Sequence, residues 1–515
     1  MAHTKTKVKK IKSQKIILLA VVLMIFAFLG AYLLLNSKAD VGSTANIWVA
    51  SNGNDSGSNC TRSSAIANPD STGLTLCKTM STALSKASAG DTIRLLAGDY
   101  PSQSISRTGL TRDTDFTNNI KFIANDGPGS VTLAGLSIGS SSAGSYGGVS
   151  FDGFHVTGGP AIQESTDVLL QNMEANNQTY ISNSQYIKLY NYKVQPNGWP
   201  ATSSTPFSNG WGIGIVQQGS GSVSAPSNIT LDKIIIRGVR ATQAADHPDG
   251  VFMWRGGGVS SAAQWTGFAV RNSLFYNNEC INWRYNDANP VQIVFENNFF
   301  DSSVNGISGC GYYSISVASE TGTYKNNTIR GGVQVKEGDC AANCGAVRTW
   351  KNNIILGGFS DQGCSNLSND VWNKNIVDGS RCSTNDISST ASAIKFAGGS
   401  TYPDALFLTS GSLVAIDAGD GSSGSYTPTD YLGTPRPQGT APDIGAYEYQ
   451  SGTGGGNTCS SKQGDANGDN SVNILDISAI LSSYGQTNTT SCTDVNNDKS
   501  INILDISLVL SKYGT

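Results

Sequence analysis

A short pattern, apolar–any–Asn–any–apolar, recurs through the middle of this chain and leaves few architectures open. It is seen at Leu170-Gln171-Asn172, Leu189-Tyr190-Asn191, Val270-Arg271-Asn272, Phe295-Glu296-Asn297, Tyr324-Lys325-Asn326 and Trp350-Lys351-Asn352. Gly153 and Lys233 fill the Asn slot in Phe151-Asp152-Gly153 and Leu231-Asp232-Lys233. Successive slots are 19, 19, 42, 39, 25, 29 and 26 residues apart. Steps of about 20–30 residues with a turn residue at a fixed place predict a solenoid, whose coils bury their apolar faces only by stacking. Asn suits the slot because it tolerates left-handed backbone and its amide can hydrogen-bond the copy in the next coil. Between Ile47 and Gln450 short β-rich runs alternate with Gly, Asn and Ser, and no long helical period appears. The expected class is all-β. A large β-sandwich or propeller is the alternative, and neither calls for such a slot.

The two ends of this region carry further motifs. Ile47-Trp48-Val49-Ala50-Ser51-Asn52-Gly53-Asn54-Asp55 precedes Cys77-Lys78-Thr79, Ala83-Leu84 and Ala89-Gly90-Asp91-Thr92-Ile93-Arg94-Leu95-Leu96-Ala97-Gly98-Asp99-Tyr100. The far end reads Ala415-Ile416-Asp417-Ala418-Gly419, then Asp430-Tyr431-Leu432-Gly433-Thr434-Pro435-Arg436-Pro437, and closes with Asp443-Ile444-Gly445-Ala446-Tyr447-Glu448. Both ends resemble the right-handed parallel β-helix proteins related to pectate lyases, where a short helix caps the barrel before the first coil. The resemblance implies a right-handed parallel β-helix over residues 46–450. It implies little chemistry, because that scaffold carries lyases, hydrolases, epimerases and adhesins alike.

Residues 451–458, Ser-Gly-Thr-Gly-Gly-Gly-Asn-Thr, read as a flexible linker into a different kind of segment, 459–515. There the twelve-residue loop Asp465–Asp476 recurs as Asp494–Asp505, with oxygen side chains at positions 1, 3, 5, 7, 9 and 12. A hard cation such as Ca²⁺ takes six to eight oxygens from a loop folded back on itself, and this spacing supplies them. An apolar stripe at helical spacing follows each loop: Ile474, Ile477, Ile480, Leu481, Tyr484, then Ile503, Ile506, Val509, Leu510, Tyr513. The stripes of the two loop–helix units can bury against each other. This tail resembles a type I dockerin, a small helical, EF-hand-like, calcium-dependent module that docks extracellular enzymes onto a cohesin. The resemblance assigns Ca²⁺ ligation to Asp465, Asn467, Asp469, Ser471 and Asp476, and to Asp494, Asn496, Asp498, Ser500 and Asp505. It assigns partner contact to Ile474-Leu475 and Ile503-Leu504. At loop position 6, where that family usually has Gly, stand Asn470 and Lys499.

The other terminus bears on compartment. Six lysines in residues 1–15 precede an uncharged run from Ile16 to Leu35, long enough to span a bilayer with the lysines in the cytoplasm. A retained anchor and a signal cleaved after Ser37-Lys38-Ala39 are both compatible with it, and either exports the remainder. Taking those six lysines from 34 basic residues leaves 28 against 38 acidic ones, an unfavourable balance for binding nucleic acid. Ten cysteines in an exported chain point to disulfides, with Cys60–Cys77, Cys280–Cys310, Cys340–Cys344, Cys364–Cys382 and Cys459–Cys492 the pairings nearest in sequence. Three histidines, none at ligand spacing from a cysteine pair, argue against zinc.

Two slot steps, 42 and 39 residues, exceed a plain coil and imply an extra coil or long loops, where function tends to sit. The second holds Arg237, Arg240, Asp246-His247-Pro248-Asp249-Gly250 and Arg255, and the next coil brings Glu279, Trp283, Arg284 and Asp287. Residues in equivalent slots of stacked coils lie about 4.8 Å apart, so carboxylates and arginines can form a row. In pectate-lyase-like enzymes a carboxylate-bound Ca²⁺ neutralises a uronate and an Arg or Lys removes the adjacent proton. On that resemblance Asp249 and Glu279 are candidate metal or carboxyl groups, Arg240, Arg255 or Arg284 the base, and His247 an auxiliary acid. A hydrolase would instead pair Asp246 or Asp249 with Glu279. Trp199 and Trp211 are candidate sugar platforms. Asp-His-Pro-Asp-Gly equally makes an ordinary tight turn, and without a catalytic motif a glycan-binding adhesin is the competing expectation.

Overall fold

The computed structural model describes residues 44–513, apart from 57–59, 64–65, 68–75, 109–114, 141–145, 198–209, 220–223, 241–247, 257–258, 260–264, 287–290, 303–312, 318–319, 336–346, 361–363, 365–366, 380, 451–461, 467–471, 473–475, 478, 481–483 and 485–491. The expected membrane segment 16–35 thus lies outside the described residues. Among those described, no helix is long and apolar enough to cross a membrane.

Three stacks of parallel strands wind into a β-helix. The first sheet runs from Ile47–Val49 to Val371–Asn373, each strand pairing parallel with the one a coil earlier. The second runs from Gly98–Tyr100 to Ile387–Ser389 in the same manner. Strands Ser165–Ala175 and Gln185–Val194 pass through the corner and belong to both. The third sheet has nine strands, from Gln103–Ile105 to Val333–Val335.

Strand alternation sends one set of side chains inward, and exact register stacks them into columns. One interior column reads Phe122, Phe151, Leu170, Leu189, Leu231, Val270, Phe295, Tyr324, Trp350, Trp372. Its aromatic members lie face to face, with ring centroids 3.9 Å apart for Tyr324–Trp350 and 5.0 Å for Trp350–Trp372.

The slot residues are where expected, at the corner between the first and second sheets. Gly153, Asn172, Asn191, Lys233, Asn272, Asn297, Asn326 and Asn352 all have φ between 47° and 86°, and Lys374 at 57° continues the series. Their amides do bond from coil to coil, as in Asn191 Nδ2 to Asn172 Oδ1 at 2.8 Å. The fully interior ladder sits one residue later: Asn298, Asn327, Asn353 and Asn375 each donate through Nδ2 to the next rung, ending on Asp386, at 2.9–3.0 Å. Each buried amide also donates to a backbone carbonyl of the preceding coil, as Asn327 does to Phe295 O at 3.0 Å. The polar interior is thereby satisfied rather than destabilising.

The N-terminal end and one outer face are covered. Helix Met80–Lys86, capped by Thr79, buries Met80, Ala83 and Leu84 in the β-helix core. Residues beyond Ser389 cross back over the outer face of the second sheet, where Leu406, Phe407, Ile444 and Tyr447 pack on Leu274, Phe299, Ile354 and Ile376. The same segment bonds the left-handed corner, with Thr427 N donating to Asn326 Oδ1 and Asp420 N to Asn352 Oδ1. Arg436 is buried there on Glu448 Oε2 at 2.7 Å and Gly445 O at 2.8 Å, a structural role. Disulfides Cys60–Cys77 and Cys364–Cys382 form as expected. Cys280 and Cys492 are also disulfide-bonded, while their expected partners lie outside the described residues.

The two long slot steps are single coils with long loops, not extra coils. Each contributes one strand to the third sheet, Ile213–Gln217 and Val251–Arg255. In the tail, helix Ile503–Ser511 begins in a capping box of Asn502 and Asp505. Ile506 and Val509 pack on Val472, Ile477 and Ile480, so the two units bury their stripes together. Tyr513 departs from the expected stripe and is exposed, as are Ile503 and Leu504.

Candidate functional site

The outer face of the third sheet forms a cleft of about 380 Å³ bordered by Tyr180, Trp211 and Trp254. Register explains the gathering. Tyr180, Gly214, Phe252, Arg284, Ser316 and Gln334 form one outward row, and Val216 and Trp254 belong to the next. Gly214 matters for lack of a side chain: a Cβ there would lie 3.1 Å from the Trp211 ring. Its absence lets the indole lie on the sheet, 4.7 Å from the Phe252 ring centroid. Burial raises the Tyr180 phenol above its ordinary pKa, so it serves as a neutral hydrogen-bonding ring.

Arg284 continues the aromatic row, its guanidinium 5.4 Å from the Phe252 ring centre. Its Nη1 lies 3.5 Å from Asp249 Oδ2. Asp249 is wholly buried and accepts the Ile281 N–H through Oδ1 at 3.1 Å. The carboxylate therefore acts on the cleft through Arg284 and is not itself presented to it. On the same row Arg284 Nε, Ser316 Oγ and Gln334 Oε1 are buried polar atoms without a hydrogen-bond partner among the described residues, a state that favours polar occupancy of the face.

The remaining sequence-derived candidates disperse. Arg255 ends its strand on the inward parity, 5.7 Å from the Trp265 ring. Glu279 lies in the corner between the second and third sheets, its backbone N–H on Val239 O. Its charged neighbour there is Arg240, whose pKa is lowered by burial while Glu279 works to raise it. Arg240 spends its donors on Val239 O, Asn277 O and Asn277 Oδ1. His247, Asp246, Asp287 and Trp199 lie outside the described residues. Among the described residues no three His, Cys, Asp or Glu side chains form a metal-holding group. Sequence reasoning passed over Tyr180, Phe252 and Trp254. The alternation in Val251-Phe252-Met253-Trp254 was the available signal, since it sets Phe252 and Trp254 on one face.

In the tail the second loop is described at all five expected ligands. Asp494 and Asp505 are buried, without an ion pair among the described residues, and are met by backbone N–H groups: Lys499 N to Asp494 Oδ2 at 2.8 Å and Asn502 N to Asp505 Oδ2 at 2.9 Å. Two buried carboxylates lacking a counter-charge suit a bound cation, and an all-oxygen set suits Ca²⁺. Asn496, Asp498 and Ser500 are the remaining oxygen side chains of the sequence pattern, although among the described residues the three carboxylates are not gathered into a metal-holding group. Lys499 adopts φ 69°, so the position-6 turn forms without Gly. Of the first loop, Asp465 and Asp476 are described and buried, while Asn467, Asp469 and Ser471 lie outside the described residues.

Residues 463–513 match the family described as "Dockerin type I domain". No curated protein matches the chain. Among solved structures, pectate lyase Pel9A is 17% identical with TM-score 0.48, covering 80% of this chain and 99% of its own. The Streptococcus pneumoniae surface adhesin PfbA is 11% identical with TM-score 0.37, covering 56% of this chain and 76% of its own. XylC, solved with xylose, is 10% identical with TM-score 0.39, covering 78% of this chain and 98% of its own.

Proposed function

We propose that this parallel β-helix, with its type I dockerin domain, is an exported, surface-associated carbohydrate-active protein that works on acidic polysaccharide. The observation that carries the reading is the outward row of the third sheet. It leads from Tyr180 and Phe252 in register to the guanidinium of Arg284, with Trp211 laid over Gly214 and Trp254 on the neighbouring row as aromatic platforms. Aromatic faces stack on sugar rings and exclude water, while a planar guanidinium binds a carboxylate through two parallel hydrogen bonds. A uronate held on Arg284 has an acidified neighbouring C–H. In the elimination proposed, that proton passes to a base, the C–H electrons form a double bond, and the glycosidic oxygen leaves and takes a proton from solvent. Buried Asp249 orients Arg284 in this scheme. Hydrolysis by Asp249 and Glu279 is the weaker route, because two carboxylates flanking one bond must both reach it.

Burial of Asp249 equally favours a second reading, a glycan-binding adhesin that grips without cleaving. In either reading the tail binds a cohesin-type protein through Ca²⁺, with exposed Ile503 and Leu504 in contact, and the N-terminal apolar segment, if retained, holds the chain at the membrane.

The test is incubation of the intact chain with polyuronates and neutral polysaccharides, with calcium or chelator, following unsaturated-product absorbance and reducing ends. Absorbance growth establishes the lyase, and reducing ends without absorbance a hydrolase. Silence across the panel with retained glycan binding leaves the adhesin.

A further inference from the structure

The outer face of the second sheet changes character halfway along. In register it reads Thr132, His155, Glu174, Lys193, then Ile235, Leu274, Phe299, Thr328, Ile354, Ile376. The apolar part lies under the C-terminal segment, whereas the polar part opens into a groove of about 310 Å³. Elsewhere on the β-helix, opposite charges on adjacent coils close on each other, as Arg330 does on Asp301 at 2.7 Å and Arg271 on Glu296 at 2.9 Å. Glu174 and Lys193 are likewise adjacent, yet neither forms an ion pair among the described residues.

The hydrogen bonds show what the groove offers. Asn176 Nδ2 donates to Glu174 Oε1 at 3.1 Å and to Gln195 O at 3.3 Å, which makes Oδ1 its acceptor. His155 therefore donates to that oxygen from Nε2–H, and in the neutral ring Nδ1 is the nitrogen left to accept. Asn191 spends Nδ2 on Asn172 Oδ1, leaving its own Oδ1. The groove thus presents one uncommitted cation, Lys193, beside acceptors from Glu174 Oε2, His155 Nδ1 and Asn191 Oδ1. A single cation among several acceptors complements one anionic group carried on a frame of hydroxyls.

We propose that this groove is a second saccharide site, which takes an acidic sugar with its carboxylate on Lys193 and its hydroxyls on Glu174, His155 and Asn191. It lies on a different sheet from the aromatic cleft and lacks a ring platform, so it recognises a sugar through polar contacts and does not depend on turnover at the cleft. A surface grip of this kind would keep a polyuronate beside the third sheet.

The chain has three histidines, so the ring nitrogens of ¹⁵N-histidine protein give few signals, and His155→Gln assigns the relevant one. Trigalacturonate titrated into the intact chain is expected to move that signal saturably, and neutral galactotriose to leave it in place. Lys193→Met should weaken the response at least tenfold and Lys193→Arg restore most of it. Lys193 is exposed, so these variants keep the fold, which circular dichroism checks. Trp254→Ala should leave the response intact. The proposal is overturned by no movement of His155, by movement that survives Lys193→Met, or by movement that disappears with Trp254→Ala. A responding His155 alongside a silent polysaccharide panel would retain this site and remove only the lyase reading.

Discussion

From Gly153 to Lys374, each coil turns between the first and second sheets on a single left-handed residue followed by a buried rung. The approach to the third sheet instead varies from two residues between Leu133 and Leu136 to 18 between Val194 and Ile213. The tight corner has no room for variation, because each rung must satisfy the one above and below. The loose corners have no such ladder, and the aromatic cleft and Arg284 lie between them. Regularity marks what holds the coils together, and irregularity marks what the coils carry.

Breaking the tight corner should have the largest effect. Asn327→Leu removes the acceptor shared by the Asn298 N–H and side-chain amide, and the amide donor to Asn353 Oδ1 and Phe295 O, in a dry interior. Leaving buried polar groups unpaired should cost about 3–5 kcal/mol, read as a lower urea midpoint of the β-helix. A shift under 1 kcal/mol would mean that the ladder is ornamental.

The clamp across that corner should respond to pH. Burial, with Glu448 adding to it, raises Asp443 from 3.8 to about 7. A folded-state pKa above the unfolded one means that the folded state holds the extra proton between those values. Stability should accordingly fall as pH rises from about 4 to 7 and level off above, by roughly 2–4 kcal/mol. Thermal unfolding across that range, with chelator present throughout, would show it, and Asp443→Asn should flatten the curve. A flat wild-type profile would refute the assignment.

The loose side should behave oppositely. Trp254→Ala is expected to weaken saccharide binding about tenfold while moving the unfolding midpoint by less than 1 kcal/mol, because its ring faces outward. Comparable losses of binding and stability would place Trp254 in the scaffold instead. The smallest effect sharpens the corner itself: Lys374 holds φ 57°, which Asn tolerates better. Lys374→Asn should stabilise by about 0.5–1 kcal/mol in the same urea measurement.

Much of this was legible in the chain. All eight slots read from the sequence are left-handed corners, because a backbone conformation few residues accept leaves a mark wherever it recurs. The inner ladder was harder to see, since Asn298, Asn327 and Asn353 follow the slot directly and look like its duplicate. The candidate site was read less well. Arg255 and Arg284 look alike in the sequence, yet one faces Trp265 and the other the cleft, a distinction made by strand parity. Asp249, read from the sequence as either a turn residue or a catalytic carboxylate, lies buried beside Arg284, a placement no local pattern shows.

By itself the sequence determined the coil repeat, the corner residue and the oxygen spacing of the tail loops. Each of these is a local demand, of backbone angle or ligand spacing, met by residues close together in the chain. Only the tertiary structure decided that Tyr180, Trp211, Trp254 and Arg284 share one face and that His155, Glu174 and Lys193 line another. Those neighbours come from different coils, and their adjacency depends on inter-strand register and on loop lengths that no local pattern encodes.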